Sequence, residues 1–540
     1  MTSGLLLFCL SFILSHTGFS QVSGISSSNL PLVIINTNGN SIQQDIKVAA
    51  NLKIIFNGAG KINQLTDPAN IYNGNIGIEI RGNYSASLPQ KPYSFETRDA
   101  SGKNLNVSLL GMPEENDWIL LANYNDKTFM RNTLAYELFR KMGHYAPRTF
   151  MVEVVVNNAY QGIYILTEKI KQDKGRVDIA KLTTLDITGD ALTGGYIFKI
   201  DYYNQSDNWQ SSYQPVDHPE KKVNYVYVDP DPDALVFTQK SYLKNAVNAF
   251  EAVLQKPDFS DKVTGYPAWI DVTSFLDYFI VSEVSRNVDA YKKSVFFFKE
   301  KDSKGGKISA GPVWDFDWAW KNIWDCSTYS ATDGSGWTYK INDCPNIYPN
   351  SNGWMVRLLQ DPDFANALNK RYFDLRNSYL SNTYLQSYID SVQNLVAEAQ
   401  ARHYSKWNIL GSNVGAPEVD SQPSTYAGQL TKFSNWIKTR LGWLDSHMPG
   451  TATTNSNDLF QTDTSYRIFP NPATDQVYIE ASAEIETIEI FRSNGASVIR
   501  KSGVADFTSH LNISGLQPGI YLIRLGMKGQ SPVSYKLLVK

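Results

Sequence analysis

Apolar residues recur along this chain with a period of two in some stretches and with a helical period in others. The change from one rhythm to the other organises it. Short apolar or alternating runs at residues 32–35 (LVII), 52–56 (LKIIF), 77–81 (GIEIR) and 93–97 (YSFET) predict strands, separated by turns such as Asn38-Gly39 and Asn57-Gly58. Residues 126–142 (DKTFMRNTLAYELFRKM) predict a helix, with Asp126 suited to the N-cap and Gly143 to the stop. Residues 150–156 and 161–166 predict a hairpin through Asn157-Asn158. Residues 272–284 predict a helix, 295–299 and 308–313 a pair of strands, and 362–443 a mostly helical region. Strands come first and helices later, without a steady βα alternation, so the fold class is mixed α+β.

The two ends follow other patterns. Residues 5–14 (LLLFCLSFIL) form an apolar run too short to span a bilayer, followed by small and polar residues up to Ser20-Gln21. Residues 1–21 therefore read as a secretory signal peptide, although no Lys or Arg precedes the apolar run. A main domain is expected over residues 22–448, and a small polar linker over 449–465. Beyond it, short apolar strands at 477–480, 485–492, 496–501, 507–511, 519–525 and 534–539 predict a small all-β sandwich over 466–540. No later apolar stretch is long enough for a transmembrane helix once the signal is cleaved.

Composition narrows the function classes. The chain has 540 residues, 42% of them hydrophobic, 13% aromatic and 19% charged, which is globular rather than disordered. A net charge of −3 argues against a nucleic-acid partner, which would call for a clear Lys/Arg excess. Of the three Cys, Cys9 lies in the signal region, and Cys326 and Cys344 remain as a candidate disulfide in an oxidising compartment, the alternative being two unpaired thiols. The six His lack metal-ligand spacing and no GxSxG is present, so hydrolase chemistry has little support.

Candidate chemistry concentrates at a few positions. Asp315-Phe316-Asp317 follows a strand-like run, and paired carboxylates there suit Mg²⁺. A lone DxD is equally a solvated turn. Upstream, Arg286-Asn287-Val288-Asp289 closes an apolar helix. An Asp, a hairpin and a second Asp is an arrangement used in phosphoryl transfer, although each Asp alone is more often a cap. Arg81-Gly82-Asn83-Tyr84-Ser85-Ala86-Ser87, with Lys91 beyond, could cover phosphates or be a plain polar hairpin. No Walker P-loop, GxGxxG, HRD or DFG occurs. Trp314, Trp318, Trp320, Trp324, Trp337 and Trp354 fall in one stretch; they could stack on sugars or anchor a partner, but Trp314 and Trp318 read as core, with Trp337 open.

Longer blocks resemble a known family. IEIRGNYSASLPQKPYSFETRD, VSLLGMPEENDWILLANYNDKTFMRNTLAYEL, GIYILTEKIKQDKGRVDI, GGYIFKID and NVDAYKKSVFFFKE…GPVWDFDWAW are similar, in this order, to the CotH (spore coat protein H) kinase family. The resemblance implies an atypical protein-kinase-like fold that uses ATP and Mg²⁺ (or Mn²⁺) to phosphorylate Ser on secreted or surface proteins. It implies Asp289 as the catalytic-loop Asp and Asp315 as metal ligand, with Asp317 and Asn287 as further metal contacts. Arg81 and Lys91 would face the phosphates, and Glu168-Lys169 would mark the hinge to adenine. Residues 466–473 (YRIFPNPA), 516–524 (LQPGIYLIR) and the terminal 536–540 (KLLVK) resemble the type A sorting domain of the Bacteroidetes type IX secretion system. That implies export, the secretion machinery as partner, possible attachment to surface lipopolysaccharide, and a secreted or outer-surface location. The alternative function is a catalytically inactive, kinase-like surface adhesin or polysaccharide-associated binding protein.

Overall fold

A computed structural model of the chain describes residues 24–203, 207–451, 466–492, 496–528 and 532–540. The signal-peptide region and most of the expected linker lie outside these residues. The chain divides into two compact units between residues 453 and 454.

The first unit opens with a closed seven-stranded barrel. Around it run Leu32–Asn36, Val48–Ile55, Tyr72–Ile80, Tyr93–Arg98, Asp117–Ala122, Ala159–Glu168 and Thr149–Val156, and the last pairs in parallel with the first. Its interior is filled by alternate residues of successive strands, such as Val33, Ile35, Leu52, Ile54, Ile76, Ile78, Phe95, Trp118, Val152 and Val154. The hairpin joining the last two strands in sequence turns at Asn157 and Asn158, both with positive φ. Asn tolerates that conformation better than most residues.

A five-stranded antiparallel sheet follows, in the order Asn208–Gln210, Asn224–Asp229, Tyr196–Ile200, Val295–Lys299, Ile308–Ala310. The helix Val272–Ser285 (VTSFLDYFIVSEVS) is apolar nearly all round and buried over almost its whole length. A helix with that pattern belongs in the interior, and here it shares one large core with Arg131–Lys141, Pro362–Arg376 and Tyr426–His447. The mixed α+β class is thus a barrel, then a sheet, then helices.

Three element boundaries differ from the sequence expectation. The helix expected from Asp126 begins at Arg131. Asp126 instead holds the turn before it: its carboxylate accepts from the Thr128 and Arg131 amides at 2.9 and 2.8 Å and pairs with the Arg131 guanidinium at 3.2 Å. The strand expected over 308–313 stops at Ala310, because Gly311 has φ 114° and Pro312 has no N–H to continue a ladder. In the second unit the short C-terminal runs merge into longer antiparallel strands, Gln476–Arg492 and Ser497–Asn512, joined by Tyr466–Phe469, Gly519–Met527 and Val533–Val539. Gln476–Arg492 passes through register shifts between Glu480 and Thr487, and its buried residues change parity there, from Val477 and Ile479 to Ile488 and Ile490. A bulge of this kind lets one continuous strand serve two layers around one core.

Candidate functional site

The site grows from the end of the buried helix Val272–Ser285. Arg286 takes a left-handed conformation (φ 44°), with its amide on the Glu283 carbonyl and the Asn287 amide on that of Ser282. This stop turns the chain into a tight loop over residues 287–294. The Asp289 carbonyl accepts the Lys293 amide at 2.9 Å, and Tyr291 (φ 67°) buries its ring against Tyr278 and Phe279. The loop is therefore anchored on core aromatics while it presents Asn287, Asp289, Lys292, Lys293 and Ser294.

Asp315 sits on the turn that follows the edge strand Ile308–Ala310, itself at positive φ (69°). The 287–294 loop holds this turn at two points. Ser294 Oγ donates to Asp315 Oδ2 at 3.2 Å, and Asn287 Nδ2 donates to the Asp315 carbonyl at 3.2 Å. From the other side the Phe316 amide donates to Asn132 Oδ1 at 2.7 Å, and Asn125 Nδ2 donates to Asp317 Oδ2 at 2.9 Å. Asn125 is a hub, because its Oδ1 also accepts from the Ala416 amide. Gly415 (φ 69°) lets the chain pass there, since a Cβ at that position would collide with Asn125 Oδ1.

The electrostatics show carboxylates crowded together. Burial pushes Asp289 up to about 6; Lys293, paired with it at 2.9 Å, opposes the shift and the charge of Asp315 adds to it. Burial and then the Asp315 charge push Asp317 up, against the hydrogen bond from Asn125. Burial would lower Lys293, yet the charges of Asp289 and Asp315 outweigh it and hold its ammonium firmly protonated. Carboxylates that raise one another in this way favour an added cation.

The connection between the barrel strands Tyr72–Ile80 and Tyr93–Arg98 brings Arg81 to the same place. Its guanidinium stands 5.5 Å from the Trp314 ring, and Asp315 is the charge it feels most. It makes no hydrogen bond or ion pair with any described residue, so its donors are open. Tyr84, next in the connection, sets its ring edge-on against Trp318 at 5.4 Å and donates to the Gly415 carbonyl at 3.0 Å. The connection thus lies against the turn that carries Asp315 and Asp317. Lys91 is used within that connection, donating to the Ala86 carbonyl at 2.8 Å.

Glu168 and Lys169 are placed differently. The Glu168 carboxylate is fully buried and accepts from the Arg148 amide at 2.8 Å, the Arg148 guanidinium at 2.7 Å and the Tyr145 hydroxyl at 3.2 Å. The Lys169 carbonyl accepts from Arg176 at 2.8 Å, and its ammonium lies half-exposed, 3.8 Å from Asp117. Cys326 and Cys344 are joined in a disulfide across the loop beyond Asp317. Sequence reasoning missed Asn125, Asn132, Ser294, Lys292 and Lys293. The pair Lys292-Lys293, three and four positions after Asp289, was the one available signal.

Residues 78–444 match the family described as CotH kinase protein. The chain belongs to the CotH kinase family. Residues 467–540 match the secretion system C-terminal sorting domain, so this CotH kinase family protein is secreted or carried on the cell surface and meets secretion machinery. No curated protein matches the chain. Family membership implies ATP as phosphate donor. Among the described residues no helix is long and apolar enough to cross a membrane.

The residues present fit a nucleotide and a hard cation. The donor set is carboxylate and carboxamide oxygen, suited to Mg²⁺ or Mn²⁺, and the Arg81 guanidinium lies near Asp315 with no hydrogen-bond or ion-pair partner among the described residues. Asp217, His218 and Asp343 are the one trio of metal-type ligands within 4.8 Å of one another among the described residues, and they are not part of this site. Asp289, Asp315 and Asp317 do not form such a trio as placed.

Proposed function

We propose that the protein is a secreted or surface-attached protein kinase that transfers the γ-phosphoryl group of ATP to Ser hydroxyls of extracellular or surface proteins. The observation that carries this reading is the Asp289 loop, held to Asp315 through Ser294 and Asn287, with an Arg81 guanidinium near Asp315 that makes no hydrogen bond or ion pair with any described residue. A structural Arg so placed would be paired; one awaiting phosphate would not.

In this mechanism Asp315 would hold Mg²⁺ or Mn²⁺, with Asp317 or Asn287 as second contact. Bound there, the ion neutralises charge on the ATP phosphates. Arg81 donates to phosphate oxygens from the barrel side. Asp289 orients the acceptor Ser hydroxyl and takes its proton as the new O–P bond forms and the bond to ADP breaks. Its raised pKa suits proton acceptance near neutral pH. Lys293 fixes the Asp289 carboxylate, and Ser294 and Asn287 fix Asp315, so the protein contributes positioning and electrostatics. Lys91 belongs to the phosphate side of the connection, and Glu168-Lys169 would mark the hinge to adenine, with the Glu168 carboxylate itself held by Arg148 and Tyr145. Attachment to lipopolysaccharide after export remains part of this reading.

The binding-protein alternative rested on the tryptophans, and their placement gives it no platform. Trp320 and Trp354 are buried, Trp314 packs on Tyr136, Trp318 on Tyr84, and Trp337 on Phe279 and Trp443. Of the six, Trp324 alone is largely exposed, at 65%.

The test is transfer of labelled phosphate from ATP to a Ser-containing acceptor by the mature protein, compared with Asp289→Asn and Asp315→Asn. Each substitution is expected to lower transfer by about 10³-fold or more, with the circular dichroism spectrum unchanged. Transfer at the wild-type rate by both variants would remove the assignment.

A further inference from the structure

The trio Asp217, His218 and Asp343 is brought together by three segments. Asp217 and His218 belong to the connection between the strands Asn208–Gln210 and Asn224–Asp229. That connection turns tightly at His218: its amide donates to the Pro215 carbonyl at 3.1 Å, and its carbonyl accepts from the Lys221 amide at 3.0 Å. Asp343 ends the short helix Thr338–Asp343. Gly353, at φ 67°, lets the third segment pass close to Asp217, since a Cβ there would stand 3.0 Å from Asp217 Oδ1.

His218 is held in the way that ligating histidines are held. Its Nδ1 lies 3.0 Å from Glu220 Oε1, and its Nε2 lies 2.8 Å from Asp343 Oδ1. A metal-bound imidazole commonly donates its other N–H to a carboxylate, which fixes the ring and the tautomer. Glu220 is placed to take that N–H, and Nε2 then faces Asp343. One ligand atom from each of Asp217, His218 and Asp343 lies within 4.8 Å of the other two. Two bonds of about 2 Å to one ion set ligand atoms about 3–4 Å apart, so small side-chain shifts would close the set. The backbone at Asp343 is fixed on both sides. Asn342 Nδ2 donates to the Ser351 carbonyl at 3.1 Å, the Ser351 amide donates back to Asn342 Oδ1 at 3.0 Å, and Cys344 is bonded to Cys326.

We propose that Asp217, His218 and Asp343 bind one transition-metal dication of the Zn²⁺ class, with water completing the shell and Glu220 supporting His218 from behind. The nitrogen ligand separates this site from the Asp315 turn. Imidazole suits Zn²⁺, whereas Mg²⁺ and Ca²⁺ take oxygen ligands. The ion would be structural. It would tie the 211–223 connection to the helix Thr338–Asp343, whose Thr338 and Tyr339 amides hold Glu283 in the last turn before the Asp289 loop. On binding, the ion takes the place of a proton on Nε2, and no other bond changes. The proposal does not depend on the phosphoryl-transfer reading. A protonated His218 bridging Glu220 and Asp343 without any ion is the competing account of the same geometry.

Calorimetric titration with ZnCl₂ separates the two, using the untagged mature protein, stripped with chelator and then held in excess Mg²⁺. The wild type should bind Zn²⁺ that Mg²⁺ does not displace. Glu220→Ala should weaken Kd about tenfold, and His218→Ala and Asp343→Ala by more than that. Asp315→Asn should leave this Kd unchanged. Zn²⁺ should raise the melting temperature of the wild type and not that of His218→Ala, because an ion bound only by the folded state stabilises it. Co²⁺ in place of Zn²⁺ should give a visible absorption band that His218→Ala abolishes. If Zn²⁺ binding survives His218→Ala intact, or is lost in Asp315→Asn, the ion sits elsewhere and the proposal falls. If the wild type binds no Zn²⁺ in excess Mg²⁺, the protonated His218 accounts for the geometry and the proposal falls as well.

Discussion

Two carboxylates six positions apart, Glu283 in the last turn of the buried helix and Asp289 in the loop after it, have opposite surroundings. Glu283 accepts from the Thr338 amide at 3.0 Å, the Tyr339 amide at 2.7 Å and the Arg440 guanidinium at 3.0 Å, and neither member of the ion pair is exposed. Arg440 also donates to the carbonyls of Glu283, Gly334 and Gly336. Asp289 is paired with one cation, Lys293, feels the charge of Lys292 more weakly, and lies beside Asp315, which raises it. Glu168 in the barrel belongs with Glu283: its lone pairs are taken by Arg148 and Tyr145. Both kinds of group are buried charges, so burial alone does not mark a reactive site. What separates them is whether the protein itself supplies all the partners. Groups it completes hold the fold together, and groups it leaves incomplete await a ligand.

The contrast breaks most visibly if the completed groups are cut. Glu283→Ala leaves Arg440 charged and buried without its carboxylate, and about 3–5 kcal/mol of stability should be lost. Urea denaturation followed by tryptophan fluorescence reads this as a shift in midpoint at constant slope. Asp289→Asn, six residues on, should shift the same midpoint by clearly less, because Lys293 loses one carboxylate but keeps the charge of Asp315, and repulsion between the two carboxylates is relieved. Equal destabilisation by the two substitutions would end the distinction between them.

A smaller effect is expected at the barrel. Glu168→Gln keeps the shape but removes the charge that Arg148 meets, and about 1–3 kcal/mol should be lost. Phosphate transfer per folded molecule should stay within about threefold of the wild type, an effect of well under 1 kcal/mol on the barrier. Transfer by refolded, concentration-matched protein measures it. A hundredfold loss would move Glu168 from the scaffold to the site.

How much of this was legible in the sequence follows the same division. Strands and helices with strong periodicity were readable, as was the Asn157-Asn158 hairpin, because local pattern determines them. Asp289, Asp315 and Arg81 could be picked out because their motifs are contiguous, and the structure brings these three together. The saturation of Glu168 was not readable, since Arg148 and Tyr145 lie twenty or more positions away in sequence. Nor was Asn125, which reaches Asp317 across 192 positions. The start of the helix at Arg131 was hidden for a more local reason: Asp126 suits an N-cap, yet it caps a turn whose Phe129 has positive φ. Long-range partners decide which charges are completed, and one sequence does not display them.

Glu251 tests the contrast at an intermediate point. It is buried and filled, but by neutral donors only: Ser211 Oγ at 2.5 Å, the Tyr225 hydroxyl at 2.7 Å and Trp354 Nε1 at 3.2 Å. Burial pushes its pKa up to about 7 against these hydrogen bonds. The folded protein therefore holds this proton more tightly than the unfolded chain, where a Glu titrates at about 4.3. Its contribution to stability is full below that value and is lost as pH rises through about 7. Linkage puts the total at no more than a few kcal/mol, shared with the similarly raised Glu283. Glu251→Gln cannot ionise and can keep the same neighbours, so its urea midpoint should fall less steeply than the wild type's between pH 5 and 8, and should exceed it at pH 8. An identical pH profile for the two proteins would mean that neutral donors suffice to keep a buried carboxylate charged. Completion would then be a matter of hydrogen-bond count alone, not of charge.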